Sequence, residues 1–271
     1  MSVTILDGPI GTQLIERGIP TPAPHWSAWA LEHAPHVIGA LHREYAAAGA
    51  TVHTANTFRT KRQSYPDRWE SLTQHAVTLT RASVPPNHRV AGSIAPIHDC
   101  YSPHLSPEKP FLSHQEMAQC LAAARCDILL CETFPHVEEG LAAVRAAVET
   151  GIETWIAFTA GPLANLMSPE QMQRAAKSAA DLGAAAVLVN CVPASKCLPF
   201  VQAISQAGIP FGVYANAGDA NEGIGWAPAP DRPGRYADYA QQWIDEQAAL
   251  IGSCCGTSPA IIAELSRRFA Y

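Results

Sequence analysis

Two adjacent cysteines near the C-terminus are the strongest chemical signal in this sequence. They lie in the segment Gly252-Ser253-Cys254-Cys255-Gly256-Thr257, after an apolar run and before an amphipathic stretch. Adjacent cysteines form a poor disulfide, because the small ring strains the peptide between them, but they suit a shared metal ion at the end of a strand. The flanking glycines let the backbone turn so that both sulfurs face one point. Zinc held in this way needs at least one further protein ligand.

Cys191 is the natural third ligand, because it ends the sixth predicted strand, while Cys254 and Cys255 follow the eighth. Alternate strands of an eight-stranded barrel share layers of the interior, so these ends converge. Three thiolates leave one zinc position open, as in catalytic sites. Such a centre is a poor source of hydroxide but suits a bound substrate thiolate, and hence alkyl transfer to sulfur. A zinc ion saturated by protein ligands, with a structural role, is the alternative.

The other five cysteines are interpreted mainly as small apolar core residues, the usual role of a buried free cysteine. Cys120, Cys126 and Cys197 fall on predicted helices, and Cys131 points to the face opposite its acidic neighbour. Cys100 lies in the long loop after the third strand and stays an outside candidate for the metal site. Histidine ligands are possible, but most of the 11 histidines lie in loops or near helix starts, where surface or capping roles are expected.

Eight consecutive strand-then-helix units are predicted to position these residues. Apolar or β-branched runs predict strands at 3–6, 51–56, 89–94, 127–132, 154–159, 186–191, 211–216 and 248–252. Helical spacing predicts helices at 35–48, 69–84, 113–126, 137–149, 168–182, 194–206, 235–246 and 259–269, with capping boxes at Ser113 and Ser168. This order predicts an α/β fold, a single (β/α)8 TIM barrel forming one domain over residues 1–271. A doubly wound open sheet is the competing fold.

Polar side chains are concentrated at the predicted strand ends, where a barrel of this kind carries its chemistry. The strands themselves are almost wholly apolar, so this enrichment is informative. A turn-capping role is favoured for Thr159 and Asn216, and also for Ser93. The polar residues at strand ends are Asp7, Asn56, Thr57, Ser93, Glu132, Thr133, Thr159, Asn190 and Asn216.

Composition limits the classes of partner. The 271 residues are 48% hydrophobic with a formal net charge of -6, which argues against binding to nucleic acid or to an anionic membrane. No apolar stretch is long enough for a transmembrane helix, and the N-terminus lacks the features of a signal peptide. Eight cysteines without a secretion signal indicate reduced thiols or metal ligands, so the cytoplasm is the expected compartment. The oligomeric state is not readable.

In order along the whole chain, several motifs resemble the homocysteine S-methyltransferase family. The opening Asp7-Gly8-Pro9-Ile10-Gly11-Thr12-Gln13-Leu14 is similar to that family's first motif, and Thr54-Ala55-Asn56-Thr57-Phe58 is similar to its Thr-Asn-Thr-Phe segment. Glu132-Thr133 resembles the strand-four motif. Each short motif is weak, but Val189-Asn190-Cys191 together with Gly252–Thr257 is a specific pair.

The resemblance implies a zinc-dependent enzyme of methionine biosynthesis. Cys191, Cys254 and Cys255 would bind Zn2+, and the homocysteine sulfur would fill the fourth position. Asp7 and Glu132 would hold the amino group, and two carboxylates suit an ammonium on chemical grounds as well. Backbone N–H groups in the first turn would receive the carboxylate. The further substrate-binding residues expected on this basis are Gly8, Gly11, Thr12, Asn56 and Thr57.

The methyl donor is the open part of this interpretation. Ser253 replaces a family glycine, and Ala95-Pro96-Ile97 replaces the family's Gly-Pro-Tyr on the expected donor side. S-methylmethionine is favoured, with betaine or S-adenosylmethionine as alternatives, and no glycine-rich fingerprint follows a strand to support an adenosyl site. Aromatic faces bind such cations, and the loop candidates are Trp26, Trp29, Tyr101 and Trp226. Another thiol or a selenol as acceptor, a zinc hydrolase, and a non-catalytic binding protein are the remaining alternatives.

Overall fold

The computed structural model describes residues 3–218 and 231–270. In these residues eight parallel strands follow the sheet order β1-β8-β7-β6-β5-β4-β3-β2. A bridge between Leu6 and Val52 brings β1 beside β2, so the sheet curls round into a barrel. The strands are β1 Thr4–Ile5, β2 Val52–Ala55, β3 Arg89–Ile94, β4 Ile128–Phe134, β5 Glu153–Phe158, β6 Ala186–Pro193, β7 Phe211–Asn216 and β8 Leu250–Ser253. The predicted (β/α)8 barrel is confirmed, and the doubly wound alternative is wrong because the strand order never reverses.

Ten α-helices lie among the described residues and surround the strands. They are α1 Gly11–Glu16, α2 Ala30–His33, α3 Pro35–Ala47, α4 Trp69–Ser83, α5 Phe111–Ala123, α6 Val137–Val148, α7 Pro169–Asp181, α8 Leu198–Ile204, α9 Arg232–Asp245 and α10 Pro259–Phe269. Short 3-10 turns occur at Trp26–Trp29, Pro103–Leu105, Ala194–Lys196 and Ser205–Ala207. Within residues 3–218 and 231–270, no helix has both the length and the apolar character that a membrane crossing requires.

The capping box predicted at Ser113 is wrong, because α5 begins two residues earlier at Phe111. Ser113 therefore lies inside the first turn, and His114 N already donates to the Pro110 carbonyl. The box at Ser168 is confirmed: its hydroxyl accepts from Gln171 N, and its own N–H donates to the Gln171 side chain. Pro110 takes the N-cap position instead, and the helix begins without a side-chain capping hydrogen bond.

Strand alternation divides the apolar side chains into two layers. The larger layer packs between the strands and the helices and includes Ala55, Cys131 and Val189. The smaller layer fills the barrel interior, and its members occupy every second position, so the next inward position along a strand reaches the barrel mouth. The interior residues are Leu6, Val52, Ala91, Ile128, Leu130, Trp155, Ala157, Ala186, Leu188, Tyr214 and Leu250. On β4 this alternation places Glu132 inward after Ile128 and Leu130.

Two strands carry irregularities at their C-terminal ends. The pairing register shifts between Cys131 and Phe134 on β4, and between Asn190 and Pro193 on β6. Thr133 and Cys191, inside these bulges, have left-handed backbone angles, with φ of 63° and 52°. Such a conformation costs a non-glycine residue about 1–3 kcal/mol and is concentrated at functional sites. The bulges let consecutive residues of one strand both face the mouth of the barrel.

Candidate active site

Three cysteine sulfurs meet at the mouth of the barrel. The Sγ atoms of Cys191, Cys254 and Cys255 all lie within 4.8 Å of one another, and those of Cys191 and Cys254 are 2.8 Å apart. Cys191 is delivered by the bulge on β6, and the other two follow β8. Hydrogen bonds fix the β8 turn: Cys254 N donates to the Ala215 carbonyl at 2.7 Å, and the Thr257 hydroxyl contacts the Cys254 carbonyl at 2.7 Å. The convergence predicted for strands six and eight is confirmed.

The ionisation of these cysteines favours a bound cation. Hydrogen bonds to Cys191 and Cys255, together with burial, raise the pKa of Cys254 well above its ordinary value. Hydrogen bonds from Cys191 and Cys254 lower the pKa of Cys255 well below its ordinary value. Three thiolates packed together in a buried site repel one another, so the protein without a cation does not stabilise all three negative charges. Three converging sulfur donors fit a thiophilic metal such as zinc, which would stabilise all three thiolates.

Asn190 and Thr133 support the cluster from the neighbouring strands. Asn190 Nδ2 donates to Thr133 Oγ1 at 2.7 Å and lies 3.7 Å from Cys191 Sγ. Thr133 Oγ1 lies 3.9 Å from the same sulfur. Both side chains are buried, so these contacts hold the Cys191 sulfur in one orientation.

Glu132 is buried beside the cysteine cluster and both of its carboxylate oxygens accept hydrogen bonds. The Ser93 hydroxyl donates to Oε1, and the Tyr214 hydroxyl donates to Oε2 at 3.0 Å. Burial raises the pKa of Glu132 to about 7, with a further raising contribution from Cys191 and opposing contributions from Ser93 and Tyr214. A carboxylate that is partly protonated at neutral pH becomes fully ionised when a cation binds beside it. The hydroxyl of Ser93 thus contacts the site rather than capping a turn.

Asp7 is a second buried carboxylate at the same mouth. Thr54 N donates to Asp7 Oδ2 at 2.9 Å, which fixes the carboxylate against β2. Burial raises the pKa of Asp7 well above its ordinary value, and Glu132 adds to this effect. Two neighbouring buried carboxylates with raised pKa values form an environment that a cationic ligand group would stabilise.

One cavity of about 470 Å³ joins these groups. Its lining includes both carboxylates and all three clustered cysteines, with Gly8 and Gly11 at the first turn. A Cβ atom at Gly11 would lie 2.7 Å from Trp26 Cζ2, so glycine permits the close approach of this indole. Trp26, Phe58 and Tyr101 line the other side of the cavity, together with Arg59 and Asp99.

Three of the predicted substrate residues are occupied by contacts within the protein. Asn56 lines the cavity, but its amide exchanges hydrogen bonds with the Ser27 side chain and backbone, at 2.7 and 2.9 Å. The Thr57 hydroxyl bonds the backbone of Ser93, and Thr57 is not among the residues that line this cavity. Thr12 Oγ1 accepts from Gly256 N at 3.1 Å and so joins the first turn to the cysteine turn. We therefore assign these side chains to holding the site together.

Of the aromatic residues proposed to contact the donor, Trp26 and Tyr101 line the cavity and Trp29 does not. Trp26 packs edge-on to Phe58, with ring centroids 6.5 Å apart, and Tyr101 faces the cavity. Trp29 instead stacks on His33 at 3.8 Å, outside the cavity lining. Trp226 lies outside the described residues.

Cys100 lines the cavity but is not a member of the three-cysteine group. Burial raises its pKa to about 12, so it remains a neutral thiol. Cys120, Cys126, Cys131 and Cys197 are buried in the outer core, as predicted.

Tyr214 is the main site residue that the sequence interpretation missed. Its position on β7, two residues before the polar Asn216 and on the same inward face, was the available signal. Phe58, Arg59 and Asp99 lie in loops, where no periodic pattern predicts which way a side chain points.

A family model described as homocysteine S-methyltransferase matches residues 4–269. This chain belongs to the homocysteine S-methyltransferase family. Among its relatives, Homocysteine S-methyltransferase of Escherichia coli (strain K12) is 27% identical over 295 residues, which cover 98% of this chain and 95% of the relative. Homocysteine S-methyltransferase 3 of Zea mays is 26% identical, with 97% and 89% covered.

Solved structures of the same family share the fold. The metallated form of the homocysteine methyltransferase MmuM from Escherichia coli superposes with a TM-score of 0.82 at 24% identity, covering 99% of this chain and 96% of that chain. Its apo form gives a TM-score of 0.77 at 25% identity. The barrel of this methyltransferase family member is thus close to theirs over nearly its full length.

Proposed function

We propose that this chain is a zinc-dependent enzyme that transfers a methyl group from a cationic donor to the sulfur of L-homocysteine and releases methionine. The observation that carries this proposal is the shared cavity, in which three cysteine sulfurs lie beside two buried carboxylates. Thiol ligands suit a thiol substrate, and paired carboxylates suit the ammonium group of an amino acid. Membership of the homocysteine S-methyltransferase family supports the same acceptor.

The acceptor side of the cavity consists of Asp7, Glu132, Cys191, Cys254 and Cys255. A zinc ion held by the three cysteines would supply the positive charge that keeps the homocysteine sulfur ionised and nucleophilic at neutral pH. Asp7 and Glu132 hold the ammonium group between them, and its charge favours ionisation of both carboxylates.

The homocysteine carboxylate is assigned to the first turn of α1. The first N–H groups of a helix have no partner within the helix, and α1 begins at Gly11, which lines the cavity. Gly8 also lines the cavity, and it must be glycine because a Cβ atom there would meet the Tyr45 ring at 2.7 Å. The amino acid is thereby held at both ends, which directs its side-chain sulfur toward the cysteines.

The donor side of the cavity consists of Trp26, Phe58, Arg59, Asp99 and Tyr101. Aromatic faces and a carboxylate attract a sulfonium or quaternary ammonium group, while the guanidinium of Arg59 suits a carboxylate. S-methylmethionine offers a sulfonium, an ammonium and a carboxylate, so it uses both charges of this side. Betaine offers no hydrogen-bonding ammonium for Asp99, and we therefore favour S-methylmethionine.

A selenol is a second acceptor class that one relative supports. Selenocysteine Se-methyltransferase of Brassica oleracea var. italica is 24% identical over 311 residues. The acceptor side contacts the amino acid through its ammonium and carboxylate groups, which such a selenol shares with homocysteine. A zinc hydrolase is disfavoured, because zinc hydrolases usually bind their metal through histidine and carboxylate ligands. The ligand atoms of the group proposed to bind zinc are all cysteine sulfurs.

The test is a donor panel with zinc-loaded protein. S-methylmethionine, betaine and S-adenosylmethionine are each supplied with homocysteine that carries deuterium in its carbon chain. Labelled methionine is measured by mass spectrometry, so methionine left behind when S-methylmethionine loses a methyl group is not counted. We expect labelled methionine fastest from S-methylmethionine. Labelled methionine from betaine alone would overturn the donor assignment, and no labelled product from any donor would overturn the activity.

A further inference from the structure

A second cluster of metal-ligating side chains lies behind Asp7, away from the cysteines. One ligand atom from each of Asp7, His42 and His53 lies within 4.8 Å of the other two. His42 is on α3 and His53 on β2, and both side chains are fully buried. Neither histidine lines the main cavity, but Asp7 does, so the cluster borders that cavity through its carboxylate.

The hydrogen bonds of His42 define which ring nitrogen carries its proton. Thr80 Oγ1 donates to the Ala76 carbonyl at 2.9 Å and lies 3.0 Å from His42 Nε2. In this arrangement the single hydrogen of the hydroxyl goes to the carbonyl, so we assign the ring proton of His42 to Nε2. Burial lowers the pKa of His42 to about 3, so the ring is neutral and Nδ1 presents a lone pair.

That lone pair faces the carboxylate without a donor between them. His42 Nδ1 has no hydrogen-bond partner and lies 4.0 Å from Asp7 Oδ2. Two acceptors facing each other in a buried position repel unless a cation or a donor joins them. The carboxylate already accepts from Thr54 N at Oδ2 and keeps further acceptor capacity.

His53 contributes a second buried imidazole. Its Nε2 lies 3.0 Å from Nδ1 of His88, while its own Nδ1 makes no hydrogen bond of good geometry and the backbone of Ala50 acts on the ring. Burial and the neighbouring His88 lower the pKa of His53 to about 4, against a smaller raising contribution from the backbone of Ala50. Both imidazoles of the cluster are therefore neutral, as metal binding requires.

We propose that Asp7, His42 and His53 form a second metal site, which binds a divalent transition metal such as Zn2+, Co2+ or Ni2+. Two neutral imidazoles and one carboxylate are a donor set that these metals favour over Mg2+ or Ca2+. Metal–ligand bonds of about 2.0–2.2 Å require the three side chains to move inward together by roughly 1 Å. The cavity provides the entry path, because Asp7 lies on its wall.

Occupancy of this site competes with substrate, a consequence that rests on the function proposed above. The same carboxylate of Asp7 is assigned to the ammonium group of homocysteine. A metal ion at the second site neutralises that carboxylate and repels the ammonium. Metal in excess of the cysteine site therefore inhibits competitively with respect to homocysteine.

The experiment uses a full-length variant that lacks the three-cysteine site, Cys191→Ser/Cys254→Ala/Cys255→Ala, titrated with Co2+. We expect about one Co2+ per chain, with visible d–d bands and no sulfur-to-cobalt charge-transfer band. Adding Asp7→Asn or His53→Gln should weaken Co2+ binding at least tenfold. Adding His114→Gln, which alters a buried histidine of α5 outside the cluster, should leave Co2+ binding unchanged.

Circular dichroism melts verify that each variant is folded, and Asp7→Asn, which preserves the shape of the side chain, suffices if the histidine variant unfolds. The proposal is overturned if the triple variant binds no Co2+, if a sulfur charge-transfer band appears, or if Asp7→Asn binds Co2+ as tightly as its parent. The triple variant is inactive under the proposed function, so its Co2+ titration is independent of methyl transfer. If no donor in the panel gives methionine, the proposed second metal site is unaffected. If the triple variant binds no Co2+, the proposed methyltransferase activity is unaffected.

Discussion

The two sides of the cavity are built on different parts of the fold. The acceptor side lies on the ends of β1, β4, β6 and β8, and all its side chains except that of Cys254 are buried. The donor side lies on the loops after β1, β2 and β3, and apart from the interposed Cys100 its residues are half-buried or exposed. Strand register determines which way the acceptor-side side chains point, whereas the loops that carry the donor-side residues can vary in conformation and sequence.

The loop after β3, which carries part of the donor side, is nevertheless held by hydrogen bonds from buried charged side chains. Lys61 Nζ donates to the carbonyls of Pro96 and His98, and Glu139 accepts from Ile97 N at 2.7 Å. Burial lowers the pKa of Lys61 to about 7, so this anchor is sensitive to pH. The acceptor side is thus positioned by strand ends, whereas the donor side is carried by loops that Lys61 and Glu139 anchor.

The largest effect is expected at the metal ligands. Replacing Cys255 with alanine removes one of three ligands, so we expect loss of bound zinc and a fall in methyl transfer of more than about a hundredfold, beyond the effect typical of a supporting residue. Metal content by mass spectrometry and methionine formation measure the two losses. Cys131→Ala is the matched control, because it removes another buried cysteine at a cost of about 1–3 kcal/mol in stability and leaves zinc in place. Full zinc content in Cys255→Ala would remove that residue from the site.

Glu132→Gln should act on the acceptor alone. A hydrogen bond to a charged group contributes about 1.5–3 kcal/mol, so we expect kcat/KM for homocysteine to fall by roughly 10- to 150-fold. Zinc content and KM for the donor should not change. Steady-state kinetics with each substrate varied in turn separate these quantities. An effect of equal size on the KM of both substrates would contradict the division of the cavity into two sides.

Trp26→Ala tests the donor side in the same way. A desolvated cation–π contact contributes about 1–2 kcal/mol, so KM for S-methylmethionine should rise by roughly 5- to 30-fold. KM for homocysteine should change less, because the same indole also packs against Gly11. The matched control is Trp29→Ala, since that indole stacks on His33 away from the cavity. If both variants raise the donor KM equally, the indole of Trp26 is not a donor contact.

Tyr214→Phe should give the smallest effect and a diagnostic pH shift. The Tyr214 hydroxyl opposes the burial that raises the pKa of Glu132 to about 7, so its removal raises that pKa further. Because the ionised form binds ammonium, kcat/KM for homocysteine rises as pH increases through the pKa of Glu132, and in the variant this rise moves to higher pH. At neutral pH the loss should be a few-fold, in line with a hydrogen-bond contribution of about 1 kcal/mol. An unmoved pH profile would show that Tyr214 has no influence on Glu132.

The sequence predicted which strand-end residues lie together, because strand ends in a barrel converge wherever the strands are correctly placed. Cys191, Cys254, Cys255, Asp7 and Glu132 all meet at one mouth. The bulges at Thr133 and Cys191 were not predictable, since neither residue type favours a left-handed backbone. Asn56 and Thr57 show what sequence alone does not predict about polar residues at strand ends. Such a side chain can bind either the substrate or the neighbouring backbone, and the packing determines which; here both side chains bond the backbone.

The donor side could be predicted only as a list of aromatic residues. Trp26 and Trp29 are three residues apart in one 3-10 turn, yet one indole enters the cavity and the other stacks on His33. The capping box predicted at Ser113 was wrong because a helix can begin without a side-chain cap. The helix α5 does so at Phe111, after Pro110.

The central claim is that the three cysteines hold zinc and that the homocysteine sulfur joins them. X-ray absorption at the zinc edge, recorded for the zinc-loaded protein with and without homocysteine, tests it most directly. We predict about three sulfur neighbours without homocysteine and about four with it, at roughly 2.3 Å. A sulfur count that does not change when homocysteine binds, or a shell of mainly nitrogen and oxygen, would contradict the account.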